Sequence, residues 1–214
     1  MCVLKKIFVL AAVLFLPALV FAYQSVIAKP SDARVVLPLV EIGEGQEFFG
    51  RLNDFPHTFE FEVKETLSYK AQVFVTDDIL QKDDVSFIIV KAERRGVSEI
   101  GRTSAKDSSW EGVRSRMYAE RFRSGGTLEG SLEPGWYKLE VSAPNNDGVY
   151  RLVWGTDGVS RGYFGNVRAL FEVKAFLNHS RFGALLSPLI YVPLLLFVLL
   201  AGLFYYKMRK PKLA

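Results

Sequence analysis

Residues 132–141, Leu132-Glu133-Pro134-Gly135-Trp136-Tyr137-Lys138-Leu139-Glu140-Val141, carry the reading of the fold. Tyr137, Leu139 and Val141 alternate with Lys138 and Glu140, the period-two pattern of a strand with one face in a core. Pro134-Gly135 ahead of it reads as a type II turn, in which proline fixes φ at the second position and glycine supplies the positive φ at the third. This turn is expected to return a strand over 127–132 directly into the strand over 136–142.

The same alternation recurs on either side. Phe59, Phe61 and Val63 alternate with Glu60 and Glu62, and Tyr69, Ala71, Val73 and Val75 follow with Lys70 and Gln72 between them. Val85, Phe87 and Ile89 are interleaved with Ser86, Ile88 and Val90, so that strand is expected to be buried on both faces. Residues 149–154 supply a last strand. Turn-forming clusters separate them: Asn53-Asp54-Phe55-Pro56, Lys82-Asp83-Asp84, Arg95-Gly96 and Asn145-Asn146-Asp147-Gly148. Seven or more short strands without a convincing helix predict an all-β ectodomain, an antiparallel β-sandwich over residues 33–157. Residues 94–126 are less regular and read as a long strand-to-strand excursion or a short helical turn, with Trp110, Arg114 and Arg116 as candidate ligand- or partner-binding residues.

The two ends have a different character. Residues 1–22 combine Lys5 and Lys6, an apolar run from Ile7 to Phe21, and Val20-Phe21-Ala22 at a cleavage position, the three parts of a signal peptide. Cys2 is the single cysteine, so a chain cleaved after Ala22 has no disulfide and no thiolate chemistry. Residues 23–32 read as a linker. Residues 158–181 read as a juxtamembrane amphipathic segment, with Val167, Leu170, Phe171, Lys174 and Leu177 at helical spacing. Residues 182–206 hold no charge and are long enough for a transmembrane helix, with Pro188 and Pro193 kinking it or setting its start. The tail, residues 207–214, carries Lys207, Arg209, Lys210 and Lys212. Positive residues stay inside, so the expected arrangement is a single-pass protein of the cell membrane, N-terminal domain extracytoplasmic and C-terminus cytoplasmic.

Charge follows this division. The whole chain is +4, but residues 30–160 hold 16 Lys+Arg against 22 Asp+Glu. A mildly acidic body argues against nucleic-acid binding, which needs basic residues gathered on the folded domain.

Taken in order, Gly50-x-Leu52, Phe59-x-Phe61-x-Val63, Ala71-Gln72-Val73-Phe74-Val75, Phe87-Ile88-Ile89-Val90, Leu132 to Val141 and Gly148-Val149-Tyr150-Arg151-Leu152 resemble the bacterial pre-peptidase C-terminal domain. The resemblance covers roughly residues 45–154 and rests most on Leu-x-Pro-Gly-x-Tyr and Gly-x-Tyr-x-Leu. It implies a jelly-roll-like, non-catalytic sandwich. The chain departs from that family's usual setting, because a membrane span follows the domain and no protease domain precedes it.

Chemistry-bearing motifs are sparse. His57 stands in a turn beside Pro56 and His179 next to the expected membrane surface, and neither has triad or metal-ligand spacing. Asp77, Asp78, Asp83 and Asp84, with Asp147, are candidate oxygen ligands for calcium, a hard cation that collects carboxylates from loops; no other cofactor is expected. The reading is a non-enzymatic binding or scaffolding module whose partners are the lipid bilayer and an envelope protein or glycan. A small envelope hydrolase, or an accessory subunit of a membrane enzyme complex, is the alternative.

Overall fold

The computed structural model describes residues 24–28, 36–38, 45–78, 82–155 and 162–209. The expected signal peptide, half of the linker and the end of the basic tail lie outside the described residues; the other half of the linker, residues 24–28, is strand rather than linker. The chain divides into two compact units, one holding residues 21–115 and 120–159 and the other residues 116–119 with 160–214.

The first unit is built of strands in two sheets. The strands are β1 (Gln24–Ala28), β2 (Val36–Pro38), β3 (Gln46–Asn53), β4 (His57–Val63), β5 (Leu67–Thr76), β6 (Ser86–Glu93), β7 (Gly96–Arg102), β8 (Glu111–Ser115), β9 (Glu120–Leu132), β10 (Gly135–Ser142) and β11 (Asp147–Trp154). Six form one sheet in the order β1-β3-β11-β5-β9-β8, and five form the other in the order β2-β4-β10-β6-β7. Pairing is antiparallel except at two edges, where β1 lies parallel to β3 and β2 parallel to β4. Between β1 and β3 the chain visits the opposite sheet at β2, so β3 enters beside β1 in the same direction. The last two strands in sequence, β10 and β11, occupy the middle of their sheets.

The two sheets face each other across one core. In the five-stranded sheet Leu139 pairs with Phe59 on one side and Ile89 on the other, and Tyr137 with Phe61. In the six-stranded sheet Leu152 sits between Phe48 and Val73. Aromatic rings join the layers, Phe48 and Phe59 with centroids 4.8 Å apart and Trp154 and Phe61 5.2 Å apart, while Trp154 stacks on Tyr69 of its own sheet at 5.5 Å. Such edge-to-face and stacked pairs add to the burial term. The outward side of the six-stranded sheet carries a second buried group. Arg151 makes a two-pronged ion pair with Glu47, at 2.7 and 3.2 Å, and its guanidinium lies 4.7 Å from the Phe74 ring centre. With Glu47 only 3% exposed, removal of either partner strands a buried charge.

Three expectations change here. Residues 94–126 are mostly sheet: β7, β8 and the first half of β9, with 94–95, 103–110 and 116–119 outside the strands. The β6 strand buries Phe87 and Ile89 but leaves Ile88 and Val90 partly accessible, so it has one core face. Finally, β9 and β10 lie in different sheets, so Glu133-Pro134 carries the chain across the sandwich rather than closing a hairpin. Gly135 does have positive φ, at 153°, a conformation that L side chains rarely adopt, and a Cβ there would stand 2.8 Å from Lys91 Cε. The register of β10 is therefore set by β4 and β6.

The second unit is helical: α1 (Gly162–Phe176), a 3₁₀ turn (Arg181–Leu186) and α2 (Pro188–Arg209). The α1 helix buries Ala169, Leu170 and Val173, and with them Asn166 and Lys174. Asn178, at φ 57°, ends it in a Schellman motif: the His179 amide donates to the Lys174 carbonyl at 3.0 Å and the Asn178 amide to that of Ala175 at 3.2 Å. Pro188 starts α2 at the position where a missing N–H costs nothing. Residues 182–206 are thus not one helix: the apolar helix long enough to cross a membrane is Pro188–Tyr206, 19 residues of mean hydropathy 2.3.

Two substitutions check this packing. Leu139→Ala empties a fully buried site between two neighbouring strands and is expected to cost about 2–5 kcal/mol in chemical denaturation. Gly135→Val is expected to lower the midpoint as well, through its φ and the Lys91 stem, and an unchanged midpoint would count against the crossover geometry.

Candidate functional site

Because β7 belongs to one sheet and β8 to the other, residues 103–110 must span the side of the sandwich. Thr103 anchors the start. Its amide donates to the Phe87 carbonyl at 2.9 Å, and its Oγ1 accepts from the Phe87 amide at 3.0 Å, extending the β6 edge by one residue. Further along, the Ala105 amide donates to Ser86 Oγ at 3.0 Å and Ser108 Oγ to the Ser104 carbonyl at 2.8 Å. Trp110 closes the loop on itself, its indole Nε1 donating to the Ala105 carbonyl at 3.0 Å.

The opposite wall is β9, where the ladder to β5 is irregular. Gln72 pairs with Thr127 and Phe74 with Ser124, so Gly125 and Gly126 bulge opposite Val73. A Cβ at Gly125 would stand 2.5 Å from Trp110 Cη2, and one at Gly126 2.6 Å from Thr103 Cβ. The loop can therefore lie on this strand only because both residues are glycine. Gln72 Nε2 donates to Ser124 Oγ at 2.7 Å and fixes the bulge from the β5 side. Between loop and strand lies an open groove of about 630 Å³, its walls presenting Arg102, Ser104, Asp107, Ser109, Glu111 and Thr127. It offers hydroxyl donors and acceptors, two carboxylates and one guanidinium at its surface.

The candidates singled out from sequence fall in different places. Trp110 is half-buried and packs against the core, so it supports the groove from behind. Arg114 and Arg116 are exposed, Arg114 on β8 across from Arg121. Among the acidic residues, Asp77 and Asp83 converge on Arg123, whose Nη1 is 2.8 Å from Asp83 Oδ2 and whose Nε is 3.7 Å from Asp77 Oδ1. A guanidinium thus pairs with two of the four acidic candidates. Asp78 is exposed, and one oxygen each of Asp83 and Asp84 is buried without a hydrogen-bond partner. Among the described residues, no three His, Cys, Asp or Glu side chains converge as metal ligands do. The groove itself was missed, because its walls are serine, threonine and glycine from distant positions; the Gly125-Gly126 pair inside a strand was its one visible sign.

His57 also differs from expectation. It is the first residue of β4, on the same inward side as Phe59, Phe61 and Val63, and only 4% exposed. Its Nδ1 lies 2.7 Å from Tyr150 Oη, and the Tyr150 ring fills the space beside Gly50. Burial lowers the pKa of His57 and raises that of Tyr150 well above the usual phenol range, since both charged forms lose water. Extending the alternation of β4 back by one more period, two residues before Phe59, reaches it.

The architecture defines a class: a mostly-β protein of two packed sheets, followed by one helix long and apolar enough to cross a membrane. No family model matches the chain, and no curated protein matches it. Similar solved structures include the pre-peptidase C-terminal domain of a collagenase from Bacillus anthracis, at 14% identity over 59% of this chain and 98% of that one, with a TM-score of 0.36. A mitogen from Yersinia pseudotuberculosis is similar at 10% identity over 56% and 93%, with a TM-score of 0.37. The surface-associated copper-binding protein CorA of Methylomicrobium album is similar at 8% identity over 57% and 98%, with a TM-score of 0.30.

The buried histidine gives a pH prediction. Its folded pKa lies below the unfolded value of about 6.5, so as pH falls through that value the unfolded chain takes up a proton that the native state refuses. Stability should then decline with acidity at up to about 1.4 kcal/mol per pH unit from this group. In thermal melts across this range, His57→Gln should flatten the slope.

Proposed function

We propose that this chain is a non-catalytic binding or scaffolding module, held at the cell membrane by α2 with its β-sandwich on the extracytoplasmic side, that recognises a protein or glycan of the cell envelope. The observation that carries the reading is the groove between residues 103–110 and β9. Its hydroxyls, carboxylates and guanidinium can exchange hydrogen bonds with a polar ligand from many directions, and its glycine floor and Trp110 support hold them in place.

The membrane part of the reading draws on the 19 apolar residues of Pro188–Tyr206. The orientation draws on Lys207, Arg209, Lys210 and Lys212, which follow the span.

The test uses the full chain in detergent, immobilised and offered envelope glycan fragments and envelope extract, beside the variants Ser109→Trp and Thr127→Arg. Both positions are exposed, so the variants fold while crowding the groove. A ligand held by the wild type should lose about tenfold or more in affinity, roughly 1.4 kcal/mol, to each variant. Equal retention by all three would place recognition elsewhere.

A further inference from the structure

The break between the 3₁₀ turn and α2 leaves an unexpected surface. A 3₁₀ helix has three residues per turn, so positions three apart stand in one ridge. Ala184 lies on one such ridge and is buried, as is Ser187, which follows the turn in extended backbone. Ser187 is held there by its hydroxyl, which donates to the Met117 carbonyl at 2.6 Å and accepts from the Leu189 amide at 3.3 Å as the cap of α2. Phe182 and Leu185 form the next ridge, 83% and 52% exposed, and Leu186 adjoins them. Exposed His179 and Arg181 lie just before them in the chain.

A second observation concerns the first turn of α2. Pro193 has no N–H, so the Leu189 carbonyl four residues earlier loses its helical donor. In water such a carbonyl is hydrated at little cost, whereas in hydrocarbon it must find a protein donor. It has one: Tyr163 Oη on α1 donates to it at 2.9 Å. Phe164 stands edge-on to the Tyr163 ring at 5.3 Å and is itself largely exposed. At about 1.5 Å per residue the 19-residue span is about 28 Å long, just under a hydrocarbon core of about 30 Å. The residues next to its start therefore fall at the acyl boundary.

We propose that Phe182, Leu185 and Leu186 form a wedge seated in the acyl-chain boundary of the bilayer, with Arg181 among the lipid headgroups and Tyr163 satisfying the Leu189 carbonyl at that depth. The partner of this surface is lipid, and the inference rests on the reading of α2 as a span. The 3₁₀ turn is then a foot that holds the start of α2 at a fixed depth, separate from the span itself.

Nitroxide labels test it in the full chain carrying Cys2→Ser, reconstituted into phosphatidylcholine–phosphatidylglycerol vesicles. Labels go at Phe182→Cys and Leu186→Cys, with Val198→Cys reporting the span and Arg168→Cys reporting water. Collision rates with oxygen and with a water-soluble nickel chelate give depth. The expected result is deep burial at 198 and nickel access at 182 and 186 several-fold below that at 168. Nickel access at 182 and 186 equal to that at 168, with 198 still in hydrocarbon, would overturn the wedge and leave the span. Free nickel access at 198 would overturn both.

Discussion

Leu139 has Phe59 on one side and Ile89 on the other, and the chain around it alternates strictly between core and solvent. Moving β10 by one residue against either neighbour would bring Lys138 and Glu140 inward and turn Tyr137, Leu139 and Val141 outward. That single register is fixed from both sides at once, and the Phe48–Phe59 contact passes it to the second sheet. The rest of the sandwich inherits its alignment from this strand. The crossover loops have to start and finish where the two aligned sheets leave their ends.

That dependence explains what sequence could and could not reveal. Strand faces are local: Phe59, Phe61 and Val63 betray their side by spacing alone, and so do Tyr150 and Leu152. Which sheet a strand joins is not local. Glu133-Pro134-Gly135 has the composition of a hairpin turn, yet it links two layers, because both flanking strands have better partners elsewhere. His57 looked like a turn residue beside Pro56 because the pleat was counted from Phe59. Nothing near Asp77 and Asp83 in sequence announces their partner Arg123, forty residues beyond Asp83. The apolar run after Arg181 gave composition but not its break, which follows from Ser187 capping and Pro188 starting a new helix.

The groove illustrates the same separation of scales. Its serines and threonines are ordinary solvent-facing residues one by one, and its depth arises from close approach of loop to strand. Two glycines permit that approach, and Trp110 locks it through one hydrogen bond to Ala105. The site is thus set by the absence of two side chains more than by the presence of any. A methyl group at either glycine would push the loop away and change every hydrogen-bonding position along the wall.

The placement of β10 and β11 at the centre of their sheets has a consequence in time. They are the last strands to be synthesised, and until they emerge β4 has no link to β6, nor β3 to β5. Every earlier strand then waits as an incomplete sheet with aromatic residues such as Phe59 and Phe87 uncovered, and loop closure across distant residues makes the final step slow. That exposure lasts until the chain has emerged up to Trp154. Once that residue is free, the two halves of each sheet can close together.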